Sequence, residues 1–249
     1  MEQTFPYPDN YPLSGALTER MTGRIHGDMV THRRSTVHSI LREGFVCHVA
    51  FDYNPGSGHG DPYPIAVPTL YGFDALQERV YLHGSPNARL YQTALGHGED
   101  GVPVCLTVTL VDGLALESVA AHSHAYYRSV MAFGNAIAVT NGSELDELAT
   151  MVNHVVPGRW DDTVQPQPTD LKGVGVLSLS LNEVSAKVVG MSASIRKDGV
   201  SYQETPEPPH WAGDLPIGQA YGHPVTRTPD IALPAYLDSY HRPAREGDS

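Results

Sequence analysis

The chain has 249 residues, and 28 acidic against 16 basic side chains give it a formal net charge of −12. That balance argues against nucleic acid and anionic membrane as partners, because both require a cationic face. No apolar run approaches the roughly 20 residues of a membrane-spanning helix, and the opening Met1-Glu-Gln-Thr-Phe-Pro has neither the basic start nor the apolar core of a secretory signal. Residues 1 to about 30 are rich in Pro, Gly and Tyr without periodicity and read as an extended arm. In Arg33 to Glu43, Val37, Ile40 and Leu41 fall on one helical face, with Ser35 or Thr36 available to cap the start. Phe45 to Phe51 reads as a strand apolar on both faces. Cys47 within it, like Cys105 later, is expected to be a buried free thiol of a reducing compartment. A cytoplasmic protein with a small-molecule ligand is the expectation.

Asn54-Pro-Gly-Ser-Gly-His-Gly-Asp-Pro62 is a long turn, and Tyr63 to Tyr71 returns as a strand. Pro64 and Pro68 cannot donate to a ladder, so part of one edge of that strand must lie unpaired, either as a simple edge or facing a ligand. Val80-Tyr-Leu82 is a short buried strand, broken by Gly84-Ser-Pro-Asn87 and followed by a helix running to about Gly96. Val102 to Leu116 reads as a strand pair or one bent strand around Asp112-Gly113, a good tight-turn dipeptide. Tyr126 to Val139 is another long strand, with Gly134 expected at a bulge. Ser143 starts a helix that ends at Pro157-Gly158. Val174 to Leu181 is the last clear strand, with Ser185 to Val189 as an extension. Trp211, in an otherwise loose tail, suggests docking onto something. About six closely spaced strands with peripheral helices predict a mainly β protein, a small closed β-barrel, rather than a parallel βαβ sheet.

The stretch from Val80 to Tyr91 organises the site. A strand that turns through small residues into a helix start leaves backbone N–H groups unpaired, and with the helix dipole they make an anion site. Arg89, expected one turn into that helix, can close on a phosphate with its planar fork of donors. His83 lies at the strand's end beside that anion. No glycine-rich dinucleotide fingerprint, phosphate loop, zinc spacing or nucleophile elbow is present. His122 and His124 point the same way on a strand, but the sequence offers them no third ligand, so no metal site is expected.

Val46-Cys-His-Val, Pro64-Ile-Ala-Val-Pro-Thr, Tyr81-Leu-His-Gly-Ser, Val104 to Leu114, Tyr127-Arg-Ser-Val and Val155-Val-Pro-Gly-Arg-Trp together resemble the flavin-nucleotide-binding branch of the pyridoxamine 5′-phosphate oxidase-like proteins, related to the nitroimidazole-resistance proteins. Ser185-Ala-Lys-Val and His210 to Pro216 continue the likeness. It spans roughly residues 20–217, leaving an arm, 1–19, and a tail, 218–249, outside. The resemblance implies an FMN-binding split β-barrel that works as a homodimer, with FMN in a groove at the subunit interface. Val67, Pro68 and Thr69 would line the flavin ring. Ser85, Asn87 and Arg89 would hold the phosphate, with Tyr127, Arg128 and Trp211 as further cofactor contacts. His83 would stand beside the cofactor as the catalytic residue. Ala88 stands where the oxidases carry arginine, and the oxidases' basic strand motif is uncharged here, which argues against oxidation of pyridoxamine phosphate itself. The implied function is a flavin-dependent oxidoreductase acting on a small molecule. The alternatives are a haem protein on the same barrel with His83 as axial ligand, and a non-catalytic flavin carrier.

Overall fold

The computed structural model describes residues 8–140, 142–190, 210–238 and 240–241. The rest of the expected arm and tail, with the stretch 191–209, lies outside the described residues. The chain divides into two compact units, one of residues 1–109 and 129–187, the other of 110–128 and 188–249.

In the first unit, helix α1 (Arg34–Glu43) buries Val37, Ile40 and Leu41 as its periodicity requires. Its N-cap is Arg33, with no side-chain cap, so neither Ser35 nor Thr36 serves; instead the Arg34 N–H donates to the carbonyl of Asp9 at 2.8 Å. The arm therefore starts the helix. It also contributes to the core, for Tyr11 and Met21 are buried, and short β1 (Val30–Thr31) pairs with β8 (Glu183–Val189).

Strands β2 (Val46–Tyr53) and β3 (Tyr63–Asp74) form a full antiparallel hairpin from Val46↔Leu70 to Tyr53↔Tyr63. β4 (Arg79–Gly84) pairs with β3 only from Tyr71 to Asp74, and with β7 (Gly175–Ser180) along its whole length. β5 (Val102–Leu116) pairs with β2, and β6 (His124–Ala138) with β7. The neighbour order β6-β7-β4-β3-β2-β5 returns to its start because β5 also pairs with β6, and this closes the barrel. Leu82↔Leu177 and Val80↔Leu179 stand opposite each other in register and are buried, so one face of β4 and β7 fills the interior. Their other face lies under α3 (Glu144–Val155), which packs on β3, β4 and β7. Two covers explain why Tyr81, Val176 and Ser178 are buried although they face away from the barrel interior.

Tight packing fixes two glycines. A Cβ on Gly72 would sit 2.5–2.8 Å from Met151, backbone included, so α3 rests directly on β3. Gly134 does not interrupt β6; a Cβ there would lie 3.0 Å from Leu179 Cδ1.

In the second unit, the outer part of β5 runs unbroken through Asp112-Gly113, and no tight turn forms. Asp112 is held by Arg128, and Gly113 admits β9 (Gly213–Pro216), whose Leu215 carbonyl would lie 2.9 Å from a Cβ there. β9 pairs with Gly113 to Leu116, and the Tyr126 hydroxyl donates to Asp214 at 2.7 Å.

Candidate functional site

Residues alternate across a strand, so Arg79, Tyr81 and His83 share the face of β4 that looks toward α3. Tyr81 is buried there with Leu148, Met151 and Val176, and Val139, Trp160, Leu171 and Val174 pack around them. Beyond this plug the packing opens into a cavity of about 430 Å³. Its walls are almost wholly apolar: Leu70, Met151, Val155, Trp160, Leu171 and Val174 among others. His83 lines it as well, and the charged groups at its border are Arg159 and Asp170. An exposed imidazole at the rim of an apolar chamber can ligate a metal centre or exchange a proton with a bound molecule.

His83 leads directly into the turn. The Ala88 N–H donates to the Ser85 carbonyl at 2.9 Å, and the Asn87 N–H to Ser85 Oγ at 3.2 Å. Helix α2 (Arg89–Gly96) then starts at Arg89 itself, not one turn before it, with Ala88 as N-cap and no side-chain cap. The first-turn N–H groups are thus left to an external acceptor. The Arg89 guanidinium lies 5.0 Å from the centroid of the Tyr53 ring, a cation–π contact that holds the cation without neutralising it. Ser85, Asn87 and Arg89 are all exposed.

Val67, Pro68 and Thr69 sit in the half of β3 that pairs with β2 and ends before the pairing with β4 begins. The two prolines therefore mark an open edge, as their missing donors require. Tyr63, Val67 and Leu70 on this half-strand, and Val46 opposite Leu70, are exposed apolar side chains. His83, Ser85, Asn87, Arg89 and residues 67–69 all belong to the first unit.

Tyr127, Arg128 and Trp211 belong to the second. Arg128 is buried, and its Nε and Nη2 donate to the two carboxylate oxygens of Asp112 at 2.8 and 2.7 Å. Trp211 is 71% exposed. Among the described residues no three His, Cys, Asp or Glu side chains gather as a metal site. Burial raises the thiol of Cys47 to about 12, and burial also raises that of Cys105, so both are poor nucleophiles.

A closed antiparallel barrel with an open-edged strand beside a strand–turn–helix is the split barrel of the flavin-binding oxidase-like proteins. A family model described as pyridoxamine 5′-phosphate oxidase matches residues 33–188, and the chain belongs to that family. Among solved structures it is similar to the flavocytochrome Anf3 from Azotobacter vinelandii, at 26% identity and a TM-score of 0.74, over 92% of this chain and 100% of that one. It is also similar to the FAD and haem binding protein from Mycobacterium smegmatis, at 23% identity and a TM-score of 0.67, over 84% and 95%. None of the curated proteins matches the chain in sequence.

Proposed function

We propose that the protein is a flavin-dependent oxidoreductase that binds FMN and acts on a small molecule. The observation that carries this reading is the exposed turn: Arg89 without a carboxylate partner among the described residues, at an uncapped helix start, beside the open edge of β3. One cation, one hydroxyl and a set of helical N–H groups suit a phosphate monoester. Bound flavin supplies hydride transfer. The chain's part is to hold the phosphate at Ser85, Asn87 and Arg89 and to present the Val67–Thr69 backbone edge to the ring. His83 holds or takes up a proton next to it.

The exposed apolar side chains of β2 and β3 favour a homodimer, with the cofactor groove at its interface; sedimentation of the purified protein tests this. Ala88, where the oxidases carry arginine, and the absence of charge on residues 64–69 favour a substrate other than pyridoxamine phosphate. Among the described residues no helix is long and apolar enough to cross a membrane.

The absorbance spectrum of the purified protein, before and after adding FMN, is the test. Oxidised-flavin bands should appear and bleach with a nicotinamide reductant. Arg89→Ala should weaken FMN binding by about 1.5–3 kcal/mol, the worth of a charge-assisted contact to phosphate; unchanged affinity removes Arg89 from the site. A second reading, haem with His83 as axial ligand, is favoured by the apolar chamber that His83 lines and by the likeness to a flavocytochrome. A Soret band that shifts in His83→Ala decides for it.

A further inference from the structure

The face of β4 that carries His83 at one end carries Arg79 at the other, about 13 Å away by strand geometry. Tyr81, under Leu148 and Met151, separates the two ends. At the Arg79 end lies a second cavity, of about 390 Å³. It differs from the first in chemistry. Arg79, Glu147, Gln77, Tyr81, Ser143 and Ser178 give it polar walls, and Ile137 and Val139 give it an apolar one.

Two charges of opposite sign border this cavity without meeting. Arg79 Nη1 donates to Ser178 Oγ at 2.6 Å, and Asp74, its partner in register, accepts the N–H groups of Leu76 and Gln77. Glu147 accepts the Ser143 hydroxyl at 3.2 Å. The Tyr81 hydroxyl donates to Gln77 Oε1 at 3.3 Å, and burial together with the nearby Glu147 carboxylate raises the pKa of that phenol, so Tyr81 stays a donor. Neither Arg79 nor Glu147 is ion-paired with any described residue. Both are half-buried. Withdrawing a cation and an anion from water is unfavourable unless each meets an opposite charge. Here both line a cavity of small-molecule size and form no ion pair with each other.

We propose that this cavity binds a small zwitterion, an α-amino acid with an apolar side chain. Its carboxylate meets the free donors of the Arg79 fork. Its ammonium meets Glu147, and the side chain lies on Ile137 and Val139. The site is distinct from the Ser85–Arg89 turn and does not depend on a flavin there.

Calorimetric titration of the full-length protein with L-leucine, 4-methylpentanoate and 3-methylbutylamine tests it, since the two analogues each lack one charge. L-leucine should bind about tenfold or more tighter than either analogue, one charge-assisted contact being worth at least that factor. Arg79→Gln should abolish the preference over the amine, and Glu147→Gln the preference over the carboxylate. Amide chemical shifts of the wild-type protein supply a readout that needs no variant, with L-leucine moving Thr140, Ser143 and Ser178. No heat from L-leucine at millimolar concentration, wild-type affinity for L-leucine in both variants, or shifts confined to Gly84–Arg89 would each overturn the proposal.

Discussion

The guanidinium of Arg34 reaches the carboxylate of Glu78 at 2.8 Å, with side chains only 7% and 1% exposed. Glu78 ends the β3–β4 turn in the left-handed region, at φ 52°, and this turns its side chain inward. His38 Nε2 lies 3.1 Å from the same carboxylate, and the Tyr11 hydroxyl donates to it. A buried pair broken on one side leaves an uncompensated charge. Glu78→Gln should therefore cost about 3–5 kcal/mol, whereas replacing Arg34 and Glu78 together by apolar residues should cost much less. Urea unfolding of both variants checks this; an equal loss in the two would refute the buried-charge account.

The same carboxylate makes stability depend on pH. Burial pushes its pKa up, but hydrogen bonds from His38 and Tyr11 and the charges of His38 and Arg34 outweigh that and hold it below the usual carboxylate value. In the window between the folded and unfolded values the unfolded chain binds the extra proton, so stability rises with pH. The contribution is complete above the unfolded value of about 4.3 and is lost as pH falls through the folded one. The stability gap between wild type and Glu78→Gln should thus be constant from neutral pH to about 5 and narrow as pH falls below the unfolded value of about 4.3. A gap that stays constant from about pH 5 to about pH 3 means that the interaction does not need the ionised form.

In the second unit the Arg128–Asp112 fork replaces the turn that Asp112-Gly113 suggests. Asp112→Asn keeps the shape and removes the charge, and it leaves Arg128 buried without its carboxylate. A loss of about 1.5–3 kcal/mol is expected, the range for hydrogen bonds to charged groups. Amide exchange should quicken in Gly113–Leu116 and in β9, while α1 keeps its protection. Equal acceleration in both would show that the pair serves the whole chain.

Strand spacing and the two prolines make the barrel and its open edge readable in the sequence. The reason is that alternation and missing donors act locally. The strand end at Gly84 and the helix after it are legible because Gly84-Ser-Pro-Asn87 breaks the strand locally. The apolar chamber was not, because its walls come from β3, α3 and the segment from Arg159 to Val174, whose apolar residues look like ordinary core. A signal existed in the apolar run Val152, Val155, Val156 and Trp160, which is longer than α3 alone needs to cover β4. β9 escaped because four residues ending in proline carry no period. Asp112-Gly113 misled because its conformation is set by Arg128 and Leu215, which lie far away in sequence.

The chamber's shape depends on how closely α3 approaches β3, and Gly72 sets that distance. A Cβ there would meet Met151 Cγ at 2.5 Å, Cα at 2.6 Å and N at 2.8 Å. Two of these are helix backbone atoms, which no rotamer change can move. Gly175 offers the control: its Cβ would meet the Tyr91 ring at 2.6–2.9 Å, and that half-buried side chain can swing aside. Gly72→Ala should therefore cost about 1–3 kcal/mol as overpacking, and Gly175→Ala distinctly less. Because relief requires α3 to shift, Gly72→Ala should also weaken binding of an apolar dye in the Met151–Trp160 chamber, with Arg89-dependent FMN binding unchanged. Thermal unfolding and dye fluorescence measure the two effects. If Gly72→Ala costs no more than Gly175→Ala, the helix is not seated on the sheet at that glycine.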